Sequence, residues 1–232
     1  MNCLVRPFTK KQICPDRADI LMKKEEFPKT LPGFSQINRF WDFKNQAIAA
    51  KILPGEYYVS SQTEIIATVL GSCVSACVRD IKHGIGAMNH FLLPLHKGEE
   101  WSEKLNADSL ATRYGNFAME HMINDVLKYG GQKKYLEFKV FGGSKVISNL
   151  GDVGKSNIHF VLNYLEIEGF KVTAQDVGGI NPRKILFYPQ TGKVRVKKIK
   201  DLHNDTIIKR ETKYMDDIDK EEKVDGSIEL FD

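Results

Sequence analysis

Four cysteines in 232 residues are too few to staple a fold together. Cys73 and Cys77 lie four positions apart, so on one strand their Cα atoms would stand ~13 Å apart, beyond bridging distance. A reducing compartment keeps such cysteines as thiols. No apolar run approaches the ~20 residues that span a bilayer, which argues against membrane insertion. The first thirty residues mix charges with Pro15 and Pro28 and offer no signal-peptide core, so a cytoplasmic protein is expected. A phosphate-binding loop is missing as well. Gly142-Gly143-Ser144-Lys145 does not fit G-x-x-x-x-G-K-[ST], and Gly151-Asp152-Val153-Gly154-Lys155-Ser156 has two residues between its glycines where four are required. The aromatic-basic signature of RNA binders is absent, so nucleic acid is not an expected partner. Cys73, Cys77, His83, His90 and His96 carry zinc-type atoms but match no compact ligand spacing. No metal or organic cofactor is therefore expected.

What is present is an ordinary globular composition, long enough for one domain with extensions. Its charge is uneven. Asp201–Asp232 holds 11 acidic and 5 basic residues, whereas Arg183–Lys200 holds seven basic residues and no acidic one. The basic stretch either faces an acidic partner or protects a sheet edge from pairing with another chain.

Three regions follow: an N-terminal extension over 1–45, a main domain over 46–200 and an acidic tail over 201–232. The aromatic part of the extension, Phe34–Phe43, is expected to dock on the main domain. Strands are expected over Ile65–Leu70, Cys73–Arg79, Ile85–Leu93, Tyr135–Phe141 and Lys171–Val177, with a hairpin of Ile185–Tyr188 and Lys193–Ile199. Arg113–Tyr129 and Ser156–Glu168 carry helical apolar faces, with Ser156 as a candidate cap and glycines past both ends. Leu95–Asp108 reads as a polar loop beside the site, and the acidic remainder reads as poorly ordered. About eight strands joined by hairpins, with two principal helices, make an α+β fold. The expected architecture is a layered sandwich of mainly antiparallel β-sheet with flanking helices.

Chemistry concentrates at Leu70-Gly71-Ser72-Cys73 and Gly86-Ala87-Met88-Asn89-His90. Cys73 follows a Gly-Ser corner, whose backbone N–H groups could stabilise a thiolate and a developing oxyanion. His90 stands seventeen residues on, at the end of the next strand, where adjacent antiparallel strands can bring it to the thiol. Such a pair suggests a Cys-His hydrolase. Cys77, on the same strand face as Cys73, reads as core packing.

Together with Arg113-Tyr114-Gly115, Phe141-Gly142-Gly143, Asn157-Ile158, Gly178-Gly179, Pro182-Arg183-Lys184 and Thr191-Gly192-Lys193-Val194, these segments resemble the chemoreceptor glutamine deamidase family, CheD. The resemblance spans roughly residues 52–199, and Leu31–Trp41 is similar to the extension of its longer members. It implies a layered fold and hydrolysis of particular glutamine side chains in methyl-accepting chemoreceptors. By position, it implies Cys73 as nucleophile and His90 as base. It also implies a threonine six positions before the cysteine. Ala67 stands there and Thr68 beside it, so Thr68 is expected to serve only if a bulge re-aims it. The resemblance further implies a possible CheC-type phosphatase partner. A binding role toward that partner, or another Cys-His hydrolase such as a peptidase, is the alternative reading.

Overall fold

The computed structural model describes residues 27–94, 110–146, 153–200, 207 and 209–217. Cys3, Cys14, His96, the whole of the expected 95–108 loop and most of the acidic tail lie outside them.

Ten strands are described, in two five-stranded sheets. The first contains β1 (Asn38–Asp42), β2 (Ala47–Lys51), β4 (Ile65–Leu70), β9 (Arg183–Tyr188) and β10 (Lys193–Lys198), in the order β1-β2-β4-β9-β10. The second is ordered β3-β6-β5-β7-β8, from β3 (Tyr57–Ser60), β5 (Val74–Asp80), β6 (Gly86–Asn89), β7 (Leu136–Gly142) and β8 (Lys171–Val177). Pairing is antiparallel except for β2 with β4 and β7 with β8. Helix α1 (Leu110–Lys128) packs on β3 and β6, and α2 (Val153–Ile167) packs on β5, β7 and β8. Strand β5 is buried at every position but Arg79, as a central strand covered on both faces must be. The fold is an α+β sandwich.

Two strands exceed the expected eight. β1 falls within the sequence read as extension, where five residues give too short an alternation to stand out. It is held by a turn in which Asp42 accepts the N–H groups of Lys44 and Asn45, at 2.9 and 3.1 Å. Phe34 and Ile37 enter the core beside it, while Phe40 and Phe43 remain exposed. α2 begins three residues earlier than expected, so Ser156 lies inside the helix rather than capping it. Both helices stop on glycine at positive φ, Gly130 and Gly169. In each, the following N–H returns to the last turn: Gly131 to Val126 at 2.9 Å and Phe170 to Leu165 at 2.8 Å.

The inward face of β4 is fixed by its register. Ile66 pairs with Phe187, Thr68 with Ile185 and Leu70 with Arg183, and these apolar residues belong to the common core. Ala67 pairs with Leu186 on the opposite face. Among the described residues no helix is long and apolar enough to cross a membrane.

Candidate active site

The chain leaves β4 at Leu70, turns through Gly71-Ser72-Cys73 and enters β5 at Val74. Cys73 is thus at the corner rather than in the strand. Three contacts fix this corner from behind. The Ser144 N–H donates to Gly71 O and the Gly143 N–H to Cys73 O, both at 2.7 Å. Gly142, at φ +113°, lies so close that a Cβ there would overlap the Cys73 carbonyl oxygen. Asn157 of α2, fully buried, donates to Ser72 O at 2.9 Å and accepts the Leu93 N–H at 2.9 Å. One amide therefore joins the Gly71–Cys73 corner to the segment that follows His90.

His90 sits just beyond β6, in a break of the β5–β6 ladder. Ala76 N–H donates to the side-chain oxygen of Asn89 at 2.8 Å, and backbone pairing resumes at a Val74–Phe91 bridge. The expected continuous strand to Leu93 is shortened for that reason. The Pro54-Gly55-Glu56 turn holds His90 from the other side. Gly55 N–H donates to His90 O at 2.8 Å, and His90 N–H donates to Glu56 O at 2.9 Å.

Thr68 reaches His90 without a bulge. The β4–β9 register is continuous from Ile66 to Leu70, and it turns Thr68 inward while Ala67 faces away. The condition placed on Thr68 assumed that strand alternation could be counted back from Cys73. The corner interrupts that count. Thr68 Oγ1 is 2.9 Å from Ile52 O and 2.8 Å from His90 Nδ1. A carbonyl can only accept, so the single hydroxyl proton goes to Ile52 and Oγ1 accepts Nδ1–H. That pins the tautomer and leaves the lone pair on Nε2, which is buried without a hydrogen-bond partner among the described residues. Burial, with the charge of Arg210 adding to it, lowers the imidazole pKa to about 3, so the ring is neutral.

The residue that sequence reading missed is Glu211. It comes from a helix over 209–217, in the stretch expected to be poorly ordered, and is 1% exposed. Its Oε1 accepts the N–H of Gly71 at 2.9 Å and of Cys73 at 3.4 Å. Its Oε2 accepts the N–H of Ser72 at 2.9 Å and the Ser72 hydroxyl at 2.6 Å. Successive N–H groups converging in this way form an anion-binding concavity. Cys73 Sγ, a His90 ring nitrogen and a Glu211 oxygen all lie within 4.8 Å of one another. Burial first, and then the Glu211 charge, push the Cys73 thiol well above its ordinary range. With Glu211 seated, Cys73 is held as a thiol.

These three side chains also form a donor set of metal type, the one such group among the described residues. The Glu211 oxygens are already engaged by corner donors, the arrangement of a carboxylate bound as an anion. Cys77 and His83 are not part of the cluster. Cys77 lies buried in β5 opposite Met88 and Lys139, and His83 pairs with Asp80 at 2.9 Å.

A family model described as CheD chemotactic sensory transduction matches residues 92–198. The chain is similar to the probable chemoreceptor glutamine deamidase CheD of Hahella chejuensis, 53% identical over 209 residues, covering 90% of this chain and 97% of that protein. Its likeness to the protein of the same description from Halorhodospira halophila is 50% over 204 residues, covering 88% and 94%. For that of Hydrogenovibrio crunogenus it is 47% over 181 residues, covering 78% and 93%.

Proposed function

Because the chain belongs to the chemoreceptor glutamine deamidase family, CheD, we propose that it hydrolyses glutamine side chains of methyl-accepting chemotaxis receptors to glutamate through a thioester on Cys73. It is on this reading a protein-glutamine glutaminase. The observation that carries the mechanism is the convergence of a thiol, an imidazole with a free Nε2 and three backbone N–H groups on one position, where a carboxylate now sits.

The roles follow from the donors. A glutamine amide placed where the Glu211 carboxylate lies puts its carbonyl oxygen among the N–H groups of Gly71, Ser72 and Cys73. His90 Nε2 takes the thiol proton, while Thr68 holds Nδ1–H. Sγ attacks Cδ, and the corner donors stabilise the tetrahedral oxyanion. The imidazolium returns its proton to the leaving nitrogen, the C–N bond breaks and ammonia departs. Water, activated by the again neutral His90, attacks the thioester; the S–C bond breaks and glutamate and thiol result. Each chemical step uses groups of this site and water.

The test is co-expression of a receptor with this protein, followed by intact mass and peptide mapping. Deamidation adds about one dalton per glutamine through this thioester route. A receptor of unchanged mass overturns the proposal, and cleavage of its backbone selects a peptidase.

A further inference from the structure

Glu211 is held by the nucleophile's own corner. Burying a carboxylate is unfavourable unless hydrogen bonds replace its water, and the replacement here comes from Gly71, Ser72 and Cys73. A Cβ on Gly71 would stand 2.8 and 2.9 Å from the two Glu211 oxygens, so this glycine admits the carboxylate. A second close approach lies one turn along. A Cβ on Gly55 would stand 2.6 Å from the Tyr214 hydroxyl, and that hydroxyl hydrogen-bonds to Tyr114. Ile207 and Glu211 are buried, and Tyr214 and Met215 pack against the core. The spacing i, i+4, i+7, i+8 is that of one helix face laid into a groove.

We propose that Gly55, the Gly71–Cys73 corner and Tyr114 form the docking surface for a helical substrate segment that presents a glutamine, and that the chain's own helix 209–217 occupies it as a product-like competitor. This rests on the deamidase reading. Glutamate differs from glutamine by one oxygen in place of nitrogen, so a product carboxylate on the corner donors has the posture that Glu211 shows. Substrate enters only when the helix leaves. A glutamine at 211 makes the chain its own substrate: Sγ bonds to Cδ as ammonia leaves, water then splits the thioester, and the position becomes glutamate with the thiol restored.

The test uses the full-length chain, with alkylation by iodoacetamide read at the Cys73 peptide. Glu211→Ala should raise that rate about tenfold or more, because the charged hydrogen bonds that hold the helix are lost. Tyr214→Ala, away from the corner, should raise it too and covers the case in which Glu211→Ala fails to fold. Glu211→Gln should read as glutamate at 211 after purification, and as glutamine when combined with Cys73→Ala. Equal alkylation in wild type, Glu211→Ala and Tyr214→Ala overturns the proposal, whereas receptor deamidation by the same preparations keeps the deamidase reading. Glutamine retained at 211 in a preparation that deamidates receptor also overturns it. Conversion at 211 without any receptor deamidation upholds the docking surface and assigns the failure to the receptor as substrate.

Discussion

Asn157 clamps Ser72: its amide nitrogen donates to the Ser72 carbonyl at 2.9 Å from a fully buried position on α2. Its amide oxygen accepts the Leu93 N–H, so a single side chain ties the Gly71–Cys73 corner to the His90 segment. Asn157→Leu leaves two buried backbone groups unpaired, each costing about 1–3 kcal/mol. The melting temperature should fall, and kcat should fall further than the folded fraction explains. Asn157→Asp keeps the acceptor for Leu93 but turns an oxygen toward Ser72 O, and should recover less than half of the lost stability. If kcat tracks the folded fraction alone in both variants, Asn157 is a packing residue only.

Cys73 and Cys77 are both buried, yet only Cys73 borders the convergent N–H groups. Cys73→Ala should abolish receptor deamidation with the fold retained. Cys77→Ala should cost about 1 kcal/mol of stability and keep most of the activity. Wild-type turnover by Cys73→Ala, read by receptor peptide mass, removes the nucleophile assignment.

Thr68→Val conserves shape and removes the acceptor for His90 Nδ1–H. The neutral ring is then free to carry its proton on Nε2, where it cannot take one from the thiol. A loss of about 10²-fold or more in thioester formation is expected, toward the range of general-base catalysis. Thr68→Ser should recover most of it. Equal rates for the Val and Ser variants would show that the hydroxyl does not position the base.

His90 also sets a pH dependence of stability. Its folded pKa, about 3, lies below the ordinary 6.5, chiefly because burial disfavours the charged ring. Between those values the unfolded chain binds a proton that the folded one does not. Stability from this group is therefore complete above pH 6.5 and is lost as pH falls toward 3, by up to about 1.4 kcal/mol per unit. Melting from pH 7 to 5, where most carboxylates stay ionised, should show the decline. His90→Gln should flatten it; an unchanged slope assigns the effect elsewhere.

The basic hairpin divides by burial. Arg183 is 1% exposed, bonds to Ser144 Oγ at 2.9 Å and to Asp176, and so braces the loop beside the corner. Lys184, Lys193, Arg195 and Lys197 are exposed, the last three alternating along edge strand β10. If this face steers an acidic receptor segment, Lys193→Glu, Arg195→Glu and Lys197→Glu together should raise KM and leave kcat unchanged. The salt dependence of kcat/KM should flatten, since such attraction is screened within about 8 Å at physiological ionic strength. An unchanged KM with an intact fold leaves edge protection as the role of these charges.

Local pattern in the sequence determined most of the secondary structure. The β-branched run Ile65–Leu70, the alternation of Lys171–Val177 and the glycines past each helix act over a few residues, so they are legible without the fold. Cys73 and His90 were legible too, because a Gly-Ser corner and a strand end are local features and the family resemblance rests on them. Tertiary structure decided the rest. Thr68 rather than Ala67 faces the histidine because β4 takes its register from β9, while alternation counted from Cys73 is reset at the corner. Asn157 reaches Ser72 across 85 positions, and Glu211 reaches it across 139. Neither leaves a period or a spacing in the sequence. Apart from the Ser72 hydroxyl that Glu211 accepts, their partners are backbone groups, which every residue possesses, so only the folded chain shows which N–H and C=O groups are turned toward them.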